Sequence, residues 1–193
     1  MRVMLAMDNR FYQTKSGKIY SSATFDYSYW QRYLQVFDEV TVFARVGTVD
    51  ERELNRNRSD GPNVQFKFLP MYIGPKQYIF TKNKIQKLAN EAIDEADAFI
   101  LRIPSQVGTH LWRSLMARGI PYGVEVVGSS YDSMKTCGVK TPLKQFLMWY
   151  SPRKQKLQCK YSTAASYITK NYLQSLYPPG NWSTFFSNVE LYD

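Results

Sequence analysis

The feature that most constrains the fold is an alternation of short apolar runs with segments whose apolar residues recur at helical spacing. Runs that predict strands cover residues 2–7, 40–46, 64–68, 98–103, 122–127 and 164–169. Stripes that predict helices lie between several of them, for example Trp30, Tyr33, Leu34 and Phe37. Strands that alternate with helices are joined naturally by parallel crossovers. We therefore predict an α/β fold, with a Rossmann-like parallel sheet flanked by helices on both faces.

The same patterns predict where several elements begin and end. The first strand is expected to stop at Asp8 and to lead into a long polar loop, residues 8–24. The first helix is expected to cover residues 25–37. Residues 141–160 are predicted to be helical in two pieces, because Pro152 interrupts them. Residues 128–132 are expected to form a loop.

The length and composition favour a folded chain without a metal site. The 193 residues fit one α/β domain spanning residues 1–193, and a hydrophobic content of 44% supports a sizeable core. No apolar run approaches the roughly 18 residues of a membrane span, and residues 1–7 lack the features of a signal peptide. Cys137, Cys159 and His110 are not at metal-ligand spacing. We predict a cytoplasmic location, no zinc, and a His110 that lies at the surface or at the core edge and is not catalytic.

The net charge of +9 is unevenly distributed along the chain. No Asp or Glu occurs from Ser133 to Val189, and that stretch contains eight Lys and Arg residues. Such asymmetry indicates an anionic partner, whether lipid head groups, phosphates or nucleic acid. Because no recognised nucleic-acid-binding motif accompanies the charge, we predict no nucleic-acid partner.

The segment after the first strand contains candidate binding residues. The sequence has neither a Gly-x-Gly-x-x-Gly motif nor a phosphate loop, so a self-contained dinucleotide or triphosphate site is unsupported. Ligands of open parallel sheets bind at the carboxyl ends of the strands, where polar groups and aromatic faces would suit a sugar. The candidate substrate-binding residues in this segment are Asn9, Arg10, Tyr12, Lys18 and Tyr20. The alternative is an ordinary solvated loop.

Polar residues also follow or interrupt two later strands. Arg102 lies in an otherwise apolar strand, so its guanidinium needs a partner, and Ser105 is placed to cap the next helix. Glu125 lies in the strand at 122–127, and Asp132 follows it. We predict that these residues and the preceding segment line one acceptor pocket, with Glu125 and Asp132 as candidate catalytic carboxylates. The alternatives are a structural Arg102–Glu125 ion pair and a capping or turn role for Asp132.

Residues 140–161 interleave apolar and aromatic side chains with cations. Acidic lipids attract cations, and Trp and Tyr favour the head-group region of a bilayer. The candidate membrane-contact residues are Lys144, Trp149, Arg153, Lys154 and Lys156. The alternative is a core helix with a solvated basic face.

Several stretches, which occur in order along nearly the whole chain, carry a family resemblance. They are residues 25–34 with 37–40, residues 101–105, residues 121–128, residues 167–178 and residues 187–191. In these stretches the chain resembles the family 4 glycosyltransferases of bacterial capsular and exopolysaccharide synthesis.

The resemblance implies a GT-B fold, in which two Rossmann-like domains face each other, and sugar transfer with retention of configuration and no metal or other cofactor. It implies that this chain is the N-terminal, acceptor-side half, and that a nucleotide-sugar binds only with a C-terminal donor domain absent from this sequence. The chain alone is then expected to be inactive. The implied acceptor is a lipid-linked saccharide or polysaccharide, which the protein would bind as a peripheral protein at the inner face of the cytoplasmic membrane.

Two departures from the family pattern bear on the site. Many relatives have a Gly-Gly pair after the first strand, whereas this sequence has only Gly17 in a longer segment. Many also have a histidine at the end of the fifth strand, where this sequence reads Glu125 to Gly128. Glu125 or Asp132 would have to substitute for that histidine. The competing hypothesis is a non-catalytic module that binds an anionic membrane or a partner subunit.

Overall fold

A computed structural model of the chain describes residues 1–21, 25–50, 57–136 and 144–186. Cys137, residues 140–143 of the basic segment, the side chain of Lys144 and residues 187–191 of the family resemblance lie outside the described residues. By its internal contacts the chain divides into two compact units. The first comprises Met1–Phe99 and Gln106–Ile120, and the second comprises Ile100–Ser105 and Pro121–Asp193. The assignment of residues 1–193 to one domain stays a prediction.

The first unit is built around three parallel strands. Strand β1 (Arg2–Gln13) pairs with β3 (Glu39–Thr48), and β3 pairs with β5 (Val64–Leu69). Residues 3–7 of β1 are fully buried, as expected for a strand inside a parallel sheet. The helices of this unit are α1 (Tyr27–Leu34), α2 (Gly74–Ala92) and α3 (Gln106–Arg118). Helix α3 packs against both β1 and α2.

The prediction that a loop begins at Asp8 is wrong. Strand β1 continues to Gln13 and returns as the antiparallel strand β2 (Ile19–Ser21), which pairs with β4 (Asn57–Arg58). The turn between them includes Gly17, whose φ of 84° is a conformation that favours glycine.

Burial of Phe11 explains why the chain stays extended beyond Asp8. The Phe11 side chain is fully buried, with its ring centroid 5.0 Å from that of Phe66 and 6.3 Å from that of Trp30. An aromatic side chain of this size stabilises the fold by roughly 1.5–3 kcal/mol when it leaves water. Because the residues around Phe11 are mostly polar, the sequence pattern shows no apolar run there and does not predict a strand.

The second unit contains parallel strands in consecutive order. From Ile100 onward, β6 (Ala98–Ile103) pairs with β7 (Gly123–Val126), which pairs with β8 (Ala164–Tyr167), which pairs with β9 (Trp182–Phe185). The helices are α4 (Ser130–Thr136), α5 (Lys144–Lys160) and α6 (Tyr172–Leu176). In both units, parallel strands alternate with helices. The predicted α/β class, with a parallel sheet and flanking helices, is confirmed.

Three boundaries in the described residues differ from the predictions. Helix α1 is shorter than residues 25–37, α4 begins within the segment expected to be a loop, and α5 runs unbroken through Pro152. Proline removes one helical hydrogen bond. The residues before and after Pro152 in the helix, Ser151 and Gln155, are buried. Gln155 Oε1 also accepts hydrogen bonds from the backbone N–H and the hydroxyl of Ser130 at 2.9 and 2.6 Å, and these contacts offset the lost helical bond.

Candidate functional site

A polar cluster lies beside the register shift in β1 and just after the end of β5, and we call it the strand-end network. Its members are Asp8, Arg45, Tyr72, Tyr78 and His110. The pairing of β1 with β3 shifts register between Ala6 and Arg10, and Asp8 lies in that interval. The Asp8 carboxylate accepts hydrogen bonds from the Tyr72 hydroxyl at 3.1 Å and from the backbone N–H of Gln106. Because Gln106 begins α3, the carboxylate lies at the positive end of the helix dipole.

Arg45 in β3 connects Asp8 in β1 with Tyr72, which follows the end of β5. Its Nη1 donates to the carbonyl of Tyr72 at 2.8 Å, and its Nη2 donates to the carbonyl of Asp8 and lies 3.7 Å from Asp8 Oδ1. The guanidinium carbon also lies 4.3 Å from the centroid of the Tyr72 ring. The buried Nε has no hydrogen-bond partner among the described residues. Burial, followed by the negative charge of Asp8, raises the pKa of Tyr72, so this hydroxyl remains a neutral donor at physiological pH.

The network continues from Tyr78 into the contact between α2 and α3. The amide nitrogen of Gln86 donates to the His110 carbonyl at 3.2 Å and to Ser114 Oγ at 3.0 Å, which leaves the amide oxygen as an acceptor. That oxygen lies 2.8 Å from His110 Nδ1, so Nδ1 is the donor. In the neutral ring, Nε2 then accepts the hydrogen bond from the Tyr78 hydroxyl at 2.9 Å. His110 is buried, so of the two predicted positions, surface or core edge, the surface one is wrong.

The substrate-binding candidates of the first unit lie on the β1–β2 hairpin. Tyr12 and Tyr20 are half-buried register partners across the two antiparallel strands. Asn9 is half-buried, whereas Arg10 and Lys18 are exposed. A depression of about 470 Å³ lies nearby, where β1 and β3 end. Its described lining residues are Gln13, Thr14, Lys15, Thr48, Val49 and Asp50, which adjoin Tyr12 without including it.

In the second unit, the structure brings Arg102 and Glu125 together. They are register partners on the neighbouring strands β6 and β7, and Nη1 of Arg102 lies 2.9 Å from Oε2 of Glu125. Only 8% of the Arg102 side chain and 12% of the Glu125 side chain are exposed. The ion pair anticipated as an alternative is therefore present. A catalytic role for Glu125 stays a prediction.

Asp132 occupies a different environment from Glu125. It lies in the first turn of α4, is half-buried, and accepts a hydrogen bond from the Tyr172 hydroxyl at 2.9 Å. Its backbone N–H donates to Ser129 Oγ at 3.2 Å, as in a helix cap. The hydrogen bond to Asp132 raises the pKa of Tyr172. Ser105, the remaining candidate, is buried. That all these candidates line one pocket stays a prediction.

Helix α5 exposes aromatic residues and buries polar ones. Trp149 is 53% exposed and Phe146 is 54% exposed, whereas Gln155 and Gln158 are almost fully buried. Cations accompany the exposed rings. The guanidinium carbon of Arg153 lies 4.2 Å from the centroid of the Trp149 ring, and Nζ of Lys154 lies 5.7 Å from the centroid of the Tyr150 ring. Lys156 is exposed as well. We call Phe146, Trp149, Tyr150, Arg153, Lys154 and Lys156 the α5 face.

Sequence patterns missed most of the strand-end network. Arg45 was available as a signal, because a charge inside the apolar run at residues 40–46 requires a buried partner. Tyr72 and Tyr78 carried no comparable signal. Among the described residues, no group of three or more His, Cys, Asp and Glu side chains is arranged to hold a metal ion. None of the described helices is long and apolar enough to cross a membrane.

Comparison with known proteins shows similarity to one curated protein and to solved glycosyltransferase structures. The chain is 35% identical over 162 residues to protein CapJ of Staphylococcus aureus, an alignment that covers 82% of this chain and 40% of CapJ. The structure of apo UGT2 from Phytolacca americana matches 98% of this chain and 51% of its own chain, with a TM-score of 0.51 and 11% identity. No family model matches the chain. The chain is thus similar to CapJ, has a glycosyltransferase-like fold, and spans 40% of the length of that relative.

Proposed function

We propose that this chain is the acceptor-binding part of a retaining glycosyltransferase in capsule synthesis, which transfers a sugar from a nucleotide-sugar to a lipid-linked or polysaccharide acceptor. The observation that carries the proposal is the 35% identity with CapJ over 162 residues. The likeness of the fold to UGT2 is consistent with it. The assignment to family 4 and to the N-terminal domain of a GT-B enzyme rests on the resemblance of the residues.

The β1–β2 hairpin is the proposed saccharide-contacting element of the first unit. Tyr12 and Tyr20 present two aromatic side chains from opposite strands, and Arg10 and Lys18 add exposed donors. Carbohydrate sites combine apolar aromatic surface with a few polar groups that fix orientation. The strand-end network adjoins this element, because Asp8 immediately precedes Asn9 in β1 and is linked by hydrogen bonds to Arg45 of β3 and to Tyr72.

In the second unit we assign different roles to the two candidate carboxylates. Glu125 is almost buried against the guanidinium of Arg102, an arrangement suited to positioning. Asp132 is half-buried, and its observed partner Tyr172 is neutral, so Asp132 is the stronger candidate to orient or deprotonate an acceptor hydroxyl. Asp132 and Glu125 are therefore predicted to respond differently to removal of charge.

The proposal is tested by acceptor binding and by transfer. Purified chain should bind a lipid-linked saccharide fragment in a titration monitored by nuclear magnetic resonance, with shifts at Tyr12 and Tyr20. Joined to a nucleotide-sugar-binding domain, it should support transfer of labelled sugar to that acceptor. The proposal is wrong if the folded chain does not bind the acceptor and the folded joined enzyme does not transfer labelled sugar to it.

A second candidate function is peripheral binding to an anionic membrane, and the α5 face favours it. A helix that exposes Trp149 and Phe146 while it buries Gln155 is reversed relative to a helix that packs its apolar side inward. The accompanying cations suit acidic head groups at the inner face of the cytoplasmic membrane. We expect binding to phosphatidylglycerol vesicles that weakens as salt is added. Equal binding to neutral vesicles would contradict the proposed attraction between the α5 cations and acidic head groups.

A further inference from the structure

The first turns of α2 carry large apolar side chains on the surface of the first unit. Phe80 is 87% exposed, and Ile73 and Ile79 are 62% and 59% exposed. Ile73 is the N-cap residue of α2, and the other two lie within its second turn. Single exposed apolar residues are common, but three large ones within eight positions need an explanation.

Helical geometry places this surface opposite the packed side of α2. At about 100° per residue, Lys76, Phe80, Lys84 and Lys87 share one side of the helix. The buried residues Ile85, Ala89 and Ala92 lie on the other side. The exposed apolar residues are therefore not displaced core residues. We call Ile73, Lys76, Ile79, Phe80, Lys84 and Lys87 the α2 face.

Polar contacts hold the first turns of α2 in this orientation. The Tyr78 hydroxyl reaches His110 Nε2 at 2.9 Å on the inner side of the helix. At the N-terminus, the backbone N–H of Ile73 donates to Oε1 of Gln77 at 2.7 Å. With Tyr78 bound inward, Phe80 and Ile79 are directed toward solvent.

Charge indicates what covers the α2 face. No Asp or Glu occurs between Gly61 and Asn90, and the four lysines of α2 within that range, Lys76, Lys82, Lys84 and Lys87, are all exposed. Cations beside exposed Phe and Ile side chains are the pattern of an interfacial helix, which buries its apolar side chains at the acyl boundary while its lysines meet anionic head groups. Surfaces that bind other proteins are usually depleted of lysine at the centre of the contact, whereas the α2 face carries lysines around its apolar residues.

We propose that the α2 face is a membrane-contact surface that inserts Phe80, Ile79 and Ile73 into the interface of an anionic bilayer. It shares its partner with the membrane binding proposed for the α5 face, but it rests on a different helix in a different unit. The chain would then meet the bilayer through side chains close to the strand-end network, because Tyr72 immediately precedes Ile73 and Tyr78 immediately precedes Ile79 in the sequence.

The test is binding of the whole chain to vesicles of phosphatidylglycerol and phosphatidylcholine. Phe80→Ser should weaken binding to phosphatidylglycerol vesicles about tenfold, since burial of one aromatic side chain contributes free energy of that order. Met116→Ser is the matched control, because Met116 is an apolar residue on α3 that is 41% exposed, and it should bind as the parent does. Circular dichroism and thermal unfolding verify that both variants are folded.

Hydrogen exchange supplies an independent readout on the unmodified chain. Backbone amides of residues 74–84 should exchange more slowly with phosphatidylglycerol vesicles than without them. If Phe80→Ser binds normally and these amides are unprotected while Trp149→Ser loses binding, the α2 inference is overturned and the α5 proposal survives. If the parent chain binds no vesicles, both membrane proposals fail, whereas acceptor binding is judged separately. Weaker binding of Phe80→Ser together with protection of residues 74–84 supports the inference.

Discussion

Arg102 and Glu125 are register partners on adjacent parallel strands, and their charged groups meet at 2.9 Å with about nine-tenths of each side chain buried. A buried charge that loses its partner is far more costly than an exposed one. The pair thus identifies a position where a change in charge affects stability directly. Loss of activity in a Glu125 variant would have to be separated from this effect.

The Arg102–Glu125 pair predicts a large, partner-dependent loss of stability. Glu125→Leu should lower the free energy of unfolding by about 3–5 kcal/mol, because the buried Arg102 guanidinium loses its acidic partner, and adding Arg102→Met should restore much of the loss. Urea unfolding of the single and double variants measures this. The matched control is Asp94→Ala, which breaks the exposed pair of Asp94 with Arg118 and should cost less than about 1 kcal/mol. Equal losses for the two pairs would contradict the prediction.

Removal of the His110 imidazole should destabilise the contact between α2 and α3. His110→Ala deprives the Tyr78 hydroxyl and the Gln86 amide oxygen of their hydrogen bonds in a buried region, which should cost about 1–3 kcal/mol in the free energy of unfolding. Tyr78→Phe removes only one of these bonds and should cost less, about 1 kcal/mol. Chemical denaturation checks both. If neither variant changes the midpoint of unfolding, this part of the network does not stabilise the fold.

Cys159 predicts a loss of stability at alkaline pH. Burial raises the pKa of its thiol from 9.0 to about 12. Above pH 9 the unfolded chain releases this proton while the folded chain retains it, so the free energy of unfolding should fall with rising pH, by up to about 1.4 kcal/mol per pH unit. Burial also raises the pKa of Tyr72 and Tyr167, which add their own loss above their ordinary value of 10.0. Cys159→Ala should therefore flatten the profile from about pH 9 upward, and the interval from pH 9 to 10 isolates the thiol best because the tyrosines contribute least there, as measured by urea unfolding. An unchanged slope there would contradict the assignment.

Asp132 should be the more sensitive carboxylate in sugar transfer. In an enzyme that joins this chain to a nucleotide-sugar-binding domain, Asp132→Asn is expected to lower kcat by about 10²–10⁴ while the fold survives, the usual range for a lost general base. Tyr172→Phe, the control, removes only the hydroxyl that donates to Asp132 and should reduce kcat far less. Near-normal kcat in Asp132→Asn would leave Asp132 as a first-turn residue of α4 whose backbone N–H is capped by the Ser129 hydroxyl.

Neutralising the α5 face should weaken membrane binding through charge alone. Replacement of Arg153, Lys154 and Lys156 by Gln should remove about 1 kcal/mol of attraction per charge at a phosphatidylglycerol surface. The matched control neutralises three exposed cations elsewhere, Lys15, Arg113 and Lys135, and changes the net charge equally. Vesicle co-sedimentation compares the two at several salt concentrations. Equal weakening of both triple variants would show an effect of net charge rather than of the α5 face.

Local sequence patterns were sufficient for the class of the fold and for one contact of the site. The apolar run at residues 2–7 predicts a buried strand, and those residues are buried in β1. Arg102, a cation inside an apolar run, predicts a buried acidic partner, and Glu125 is that partner. Both inferences depend on the period of the side chains and on the cost of burying charge, which are properties of a few consecutive residues.

Only the tertiary structure decided where β1 ends and which residues meet Asp8 within it. The chain remains extended past Asp8 because Phe11 packs against Phe66, 55 positions away in the sequence. Asp8 meets Tyr72 and Gln106 because β1, β5 and α3 converge in the first unit. Local periodicity records which side of an element is buried, whereas strand register and helix packing determine which distant side chains face each other. For that reason, the sequence by itself indicated an α/β sheet with functional strand ends, and the long-range packing alone established the strand-end network.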